Sequence, residues 1–364
     1  MGRQPHQFRL AAMLTLALLL LGCSRKGPEW NNEGIESIQL GQRGTVYSLA
    51  FSPDGKYLAV SSKVRDKGFV VWDVESQTEV FSAEGRIKAI AFSPDGKILA
   101  VEGVEKAAGL KRPTIFSPDG ETIELVDPFT LWDTTAWTEK MRPAITDIEA
   151  ELLAFHPKED LLFVAGKQLL LWDLKAGKAR YRIEPHKFWI RGFALSPDGR
   201  TLVTGADTGK VWEAVTGKEL WSFGAPPSTD SVSCAAFLPD GGTFATGGID
   251  GKVRLWDLKA KKEKAVFSGE LYRCGALAVS GDGKLIVVAG GSLADDPGLV
   301  EFWEVSTGKR LAKLNVPNVI HVALSPDGKW LATGTSDGLK KGGPNEPGVV
   351  ELWKMAEVLG KKSK

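Results

Sequence analysis

Two repeated features of this 364-residue chain predict an all-β fold, closed into one domain rather than split into two. The first is a turn segment, AFSPDGKYLA at 50–59. It returns as AFSPDGKILA (91–100), AFHPKEDLLF (154–163), ALSPDGRTLV (194–203), AFLPDGGTFA (236–245), AVSGDGKLIV (278–287) and ALSPDGKWLA (323–332). The second is a strand ending in tryptophan after each of them, with Trp72, Trp132, Trp172, Trp212, Trp256, Trp303 and Trp353 as the last large residue. Composition agrees with this pattern. Twelve Trp against four Tyr calls for a repeated structural indole, and 43% hydrophobic with 25% charged residues suits a large buried core. Forty-six basic against forty-five acidic residues leave no global field to recruit nucleic acid or anionic lipid. Three cysteines make no disulfide framework.

In chain order, the first element is a leader at 1–22. Arg3 and Arg9 form a basic start, and Leu10 to Leu21 an apolar run of twelve. That run suits a signal peptide better than a membrane span, which needs about 20 residues. Ending in LLGC at 20–23, the segment resembles a bacterial lipoprotein signal peptide, and the resemblance implies cleavage before Cys23 and lipidation of that cysteine. Ser24 in place of an acidic residue resembles the outer-membrane sorting rule of Gram-negative lipoproteins. The alternatives are an uncleaved anchor helix or a conventional secreted protein, and both also place the body outside the cytoplasm. Residues 23–34 read as the lipidated cysteine and a polar tether, 35–356 as the repeated body, and 357–364 as a basic tail.

Each unit of the body has a plain physical logic. Pro-Asp-Gly sets a tight turn, in which Asp bonds its own backbone and Gly accepts a positive φ. Alternating apolar and β-branched residues flank it, and the tryptophan supplies a large buried anchor. Four short strands of this kind cannot bury both faces alone, so neighbours stack around an axis. The period and the Trp-Asp signature over 35–356 resemble the WD40-repeat family. That resemblance implies a seven-bladed β-propeller with four-stranded antiparallel blades. Its ring is closed by an N-terminal strand, IESIQL at 35–40, that completes the last blade. The family's Gly-His dipeptide is missing almost everywhere. Only His186 stands at family spacing from its turn, so the resemblance implies a buried network of His186, Thr204, Asp207 and Trp212. Asp250 and Asp337 hold similar loop positions without a matching histidine.

The distance from turn to tryptophan is 20, 39, 16, 16, 18, 23 and 28 residues along the seven units. Units six, seven, one and two therefore carry extra loop and units three to five are trimmed, which predicts one face with a raised wall and an open side. The tallest part is 101–128, whose internal SPDG lacks a partner tryptophan and makes no eighth blade. On the innermost strands, apolar residues six and three before the turn point into the packing, as in Val46 and Leu49. Residues seven and five before it then face the channel mouth. Around the ring these are Thr45/Tyr47, Arg86/Lys88, Glu149/Glu151, Trp189/Arg191, Ser231/Ser233, Arg273/Gly275 and Asn318/Ile320. Tyr47, Arg86, Lys88, Glu149, Glu151, Trp189, Arg191 and Arg273 are the candidate partner contacts, since Arg and Trp are enriched at binding hot spots. The opposing reading is a self-neutralising charge network around the pore.

Catalytic chemistry is thin. Of four histidines, His6 leaves with the leader, His156 replaces a turn serine, His186 has its structural place, and His321 lines the channel alone. One imidazole makes neither a metal site nor a triad. Cys234 and Cys274 lie on adjacent inner strands in opposite register, which favours two buried thiols over a bond. The acidic loops ADDPG (294–298) and GPNEPG (343–348) read as solvated turns rather than Ca²⁺ sites. The expectation is a monomeric, membrane-tethered, extracytoplasmic scaffold that binds a protein or peptide, with no cofactor, no metal and no nucleic acid. The alternatives are a propeller enzyme acting on a small molecule or glycan through the channel, and a structural spacer.

Overall fold

Each of the first six repeats folds as a four-stranded antiparallel meander because turn and strands are both encoded within it. The computed structural model describes residues 32, 35–63, 67–85, 87–102, 114–116, 122–124, 129–143, 148, 150–224, 231–291, 298–337 and 347–360. Contacts divide the chain into Met1–Asn31 and Asn32–Lys364, and the described residues belong to the second unit. The leader, Cys23, Arg86, Glu149, most of 101–128 and most of both acidic loops lie outside the described residues. Seven four-stranded sheets make an all-β, seven-bladed propeller, with one short helix, Met355–Gly360, among the described residues.

Blade 4 shows the plan, running Gly192–Leu195, Thr201–Gly205, Gly209–Glu213 and Lys218–Phe223 from the channel outward. Its first turn is held by side chains. Ser196 Oγ donates to Asp198 Oδ1 at 2.6 Å, Arg200 N donates to the same oxygen at 3.0 Å, and Thr201 N donates to Ser196 Oγ at 2.9 Å. Gly199 at φ 79° completes the turn in the left-handed region, where a Cβ is strained. The same three bonds recur at Ser52/Asp54, Ser93/Asp95, Ser280/Asp282 and Ser325/Asp327. Blade 3 solves the turn differently. His156 Nδ1 accepts from Glu159 N at 2.9 Å, while Nε2 lies 3.1 Å from the Gly199 carbonyl of blade 4. An accepting Nδ1 places the proton on Nε2, so the imidazole bonds its own turn and the next blade at once.

The last blade is composite. Val319–Leu324, Trp330–Thr335 and Val349–Lys354 come from the C-terminal end of the body, and Ser37–Arg43 supplies the outermost strand. Leu40 pairs with Val350 and is buried, and Ser37 Oγ donates to Glu351 Oε1 at 2.8 Å. The stretch with the partnerless SPDG contributes a separate two-stranded hairpin, Thr114–Phe116 with Thr122–Glu124.

The core is divided among the blade seams. One cluster joins Phe69 and Val71 of blade 1 to Ile87, Leu99 and Trp132 of blade 2, and corresponding clusters fill the other six seams. Each blade's tryptophan thus packs against the blade before it, with Trp72 closing the seam between blades 7 and 1. Burying such a side chain contributes about 1.5–3 kcal/mol, and it does so only once the neighbouring blade is present.

The innermost strands are irregular in a way that matters for the site. Pairing shifts between Val46 and Ser48, Ala150 and Leu152, Val232 and Cys234, and Val319 and His321. Tyr47, Glu151, Ser233 and Ile320 are therefore bulge residues, each an extra residue opposite the second strand.

Candidate functional site

The bulges aim side chains into the channel. A cavity of about 590 Å³ is lined by the residue five before the turn in all seven blades: Tyr47, Lys88, Glu151, Arg191, Ser233, Gly275 and Ile320. Of the residues seven before the turn, Ser231 and Arg273 line it. Thr45, Trp189 and Asn318 do not, which corrects the simple alternation expected of these strands. Thr45 Oγ1 accepts from Asp337 N at 3.1 Å, and Asn318 sits at φ 58° with its carbonyl taken by Ser336 N. Trp189 is half-buried, with Lys88 Nζ 5.9 Å from its ring centroid. The physical reason is that Thr45, Trp189 and Asn318 precede the first residues of their strands, Val46, Gly192 and Val319, so the strand's period of two does not reach them.

Charge around the mouth is uneven. Lys88 Nζ lies 3.1 Å from Glu151 Oε1, bridging blades 2 and 3. Arg191 and Arg273 are exposed, and neither has an ion-pair partner among the described residues. Sequence reasoning passed over three exposed large side chains on the same blades or between them: Phe188 is 57% exposed, Tyr272 58%, and Ile249, which lines the cavity, 39%. Phe188 and Tyr272 occupy the same place in blades 4 and 6, eight residues before Ser196 and Ser280, and that shared spacing was the available signal. His321 lies in the channel wall, and burial lowers its pKa to about 4. Among the described residues no group of three His, Cys, Asp or Glu gathers that would hold a metal ion.

Blade 4 carries a buried polar network at the rim. Trp212 Nε1 donates to Thr204 Oγ1 at 2.8 Å, and His186 Nε2 lies 2.7 Å from the same oxygen. Asp207 Oδ1 stands 3.6 Å from His186 Nδ1, an electrostatic contact beyond hydrogen-bond reach. Burial, and secondarily Lys210, lowers the His186 pKa to about 4 and keeps it neutral. The blades without such a histidine differ from one another. Asp250 takes the Arg254 guanidinium at 2.8 Å, and Asp337 Oδ1 accepts from Gly348 N at 3.0 Å.

At the seam of blades 5 and 6, Cys234 and Cys274 are buried free thiols. Their sulfurs are closer than opposite register suggested. A Cβ on Gly247 would stand 2.5 Å from Cys234 Sγ and 3.3 Å from Cys274 Sγ. The bulge at Ser233 turns Cys234 toward this seam, where Ser233 Oγ donates to the Cys274 carbonyl at 2.6 Å. Desolvation pushes the Cys234 thiol up to about 12 and the Cys274 thiol well above its usual value.

Known proteins share this pattern. A family model described as WD domain, G-beta repeat, matches residues 36–73, 177–212, 217–257 and 308–339. The chain is 31% identical over 241 residues to the small ribosomal subunit protein RACK1y of Oryza sativa subsp. japonica, covering 48% of this chain and 70% of that protein. It is 30% identical over 192 residues to telomerase protein component 1 of Rattus norvegicus, covering 51% of this chain and 6% of that protein. It is also 30% identical over 122 residues to pre-mRNA-processing factor 19 of Bos taurus, covering 32% of this chain and 24% of that protein. The chain thus spans a small fraction of the last two.

Proposed function

This chain belongs to the WD40-repeat family, and from that premise we propose that it is a non-catalytic protein-interaction scaffold working outside the cytoplasm, held to a bacterial envelope membrane by a lipid on Cys23. The observation that carries the interaction reading is the mouth. Seven blades each place the residue five before the turn around one cavity, and Arg191, Arg273 and Ile249 line its wall on blades 4 to 6. A closed ring holds these groups in place before a partner arrives, which lowers the ordering cost of binding. The described wall offers acid–base chemistry little to work with: one imidazole, His321, and one carboxylate, Glu151, already beside Lys88. The anchor reading rests on the n-region, the apolar run and LLGC at 20–23.

A crosslinking pull-down from intact membranes tests the interaction. It compares the wild-type chain with a variant carrying Lys88→Ala, Trp189→Ala and Arg191→Ala, matched for folding and amount. A partner captured only by the wild type supports the mouth as the interface, and equal capture moves the interface elsewhere. Palmitate labelling tests the anchor separately. Label lost on Cys23→Ala, with release of the chain from membranes, is the expected result, and label retained rules Cys23 out.

A further inference from the structure

We propose that the arc of the mouth formed by blades 4 to 6 binds an acidic peptide segment bearing an exposed apolar side chain. This rests on the scaffold reading and adds the chemistry of the partner. The charge pairing around the ring separates two halves. Lys88 and Glu151 neutralise one another across blades 2 and 3, so that side has little left to offer a ligand. Arg191 of blade 4 and Arg273 of blade 6 are exposed in the cavity wall, with no ion-pair partner among the described residues. Between them blade 5 presents Ser231 and Ser233, so among the described lining of blades 4 to 6 no carboxylate competes.

Close in the chain to each guanidinium is a large exposed ring, Phe188 three residues before Arg191, with Lys187 Nζ 5.7 Å from its centroid, and Tyr272 immediately before Arg273. Leaving two such rings and Ile249 in water is unfavourable, and apolar side chains rimming a charged recess mark an interaction site. Cation and aromatic ring occur together twice, on either side of an uncharged blade. A ligand that satisfies both must carry carboxylates and an apolar group within one short segment. A bilayer surface is excluded by shape, since Arg191 and Arg273 line a concave wall that a flat array of headgroups does not enter. Guanidinium groups accept carboxylates in a bidentate fork, and the recess lowers the dielectric that would screen them.

An immobilised array of peptides of systematically varied composition, probed with the purified full chain, tests this. The selected peptides are expected to be enriched in Asp or Glu beside Leu, Phe or Trp. Their binding should weaken as salt rises through the physiological range. Arg191→Ala with Arg273→Ala is expected to weaken the best selected peptide by about thirtyfold or more. Phe188→Ala with Tyr272→Ala should reduce the enrichment for apolar neighbours while keeping that for acid. Melting curves of each variant establish that it is folded. Selection of peptides without acidic residues, still lost on Trp189→Ala, overturns the acidic chemistry and leaves the scaffold reading standing. Undiminished binding by the double arginine variant overturns the proposal, as does chain that binds phosphatidylglycerol vesicles and selects no peptide. Failure of the membrane pull-down to capture any partner is the separate result that removes the scaffold reading itself.

Discussion

Whether a blade's indole is satisfied depends on one residue of the second strand. Trp212, Trp256 and Trp353 each donate Nε1–H to a threonine, Thr204, Thr246 and Thr333, at 2.8, 2.8 and 3.0 Å. The other four blades carry Val60, Val101, Val164 and Val288 at the same place. Their indoles, on Trp72, Trp132, Trp172 and Trp303, are buried without a hydrogen-bond partner among the described residues. Valine and threonine have the same shape, so the difference is one hydroxyl. Val164→Thr is expected to raise stability by about 1 kcal/mol, and Thr204→Val to lower it by about 2 kcal/mol, because it strips both Trp212 and His186 of their partner. Urea denaturation at neutral pH measures both. His186 also sets a pH response. Its folded-state pKa, about 4, lies below the ordinary 6.5, so the unfolded chain takes up the proton first. That contribution is complete above pH about 6.5 and erodes as pH falls toward about 4, by a total on the order of 3 kcal/mol. Denaturation midpoints across this window should drop, and His186→Asn should make the drop smaller, with His321, depressed to about 4 by burial, supplying part of what remains. The spacing of His186 from its turn made this network visible in the sequence. The Thr/Val alternation was equally visible, but its meaning needed the strand register.

Turns and bulges show what a strand pattern conceals. Apolar residues six and three before the turn, such as buried Val46 and partly buried Leu49, are an odd number apart, which a regular strand cannot place on one face. The bulges at Tyr47, Glu151, Ser233 and Ile320 resolve that conflict. The odd spacing was therefore a sequence signal for irregularity, and extending the alternation past the strand starts at Val46, Gly192 and Val319 misplaced Thr45, Trp189 and Asn318. The expectation that Cys234 and Cys274 are two buried thiols rather than a bond holds. Among the turns, blade 3 is the exception with a consequence. His156 bonds both its own turn and the Gly199 carbonyl across the seam, where a serine bonds its turn alone. His156→Ala is expected to cost about 2 kcal/mol, against about 1 kcal/mol for Ser52→Ala. Thermal melts of the two variants side by side decide it, and equal losses would show that the contact to blade 4 contributes nothing.

Across the ring, the number of blades and the closing strand were readable because the same pattern is written seven times and stops short in the last unit. The pairing of charges at the mouth was not readable. Which cation meets which carboxylate depends on how far side chains reach between blades that are distant in sequence, as Lys88 and Glu151 are, 63 residues apart. Closure makes the stability of the ring hang on Ser37–Arg43. Leu40 lies in the cluster with Val350 and Leu352, so Leu40→Asp buries an unpaired charge at the closing seam and is expected to cost about 4 kcal/mol. Hydrogen exchange should then quicken first in Val349–Lys354, and exchange that quickens uniformly would show that the ring does not open at this seam.

Closure also has an implication for synthesis. Ser37 and the Glu351 carboxylate it meets are 314 residues apart, so the first strand of the body leaves the ribosome long before its mate. Until then Ser37–Arg43 is a free strand edge with Leu40 uncovered, open to pairing with any other nascent chain. The six blades in between can collapse in sequence as they are made, but none completes the circle. The time taken to translate the body is thus a window of aggregation risk fixed by topology. A circular permutant that begins at Val46 and carries Ser37–Arg43 directly behind Lys354 would make the two mates together and close that window.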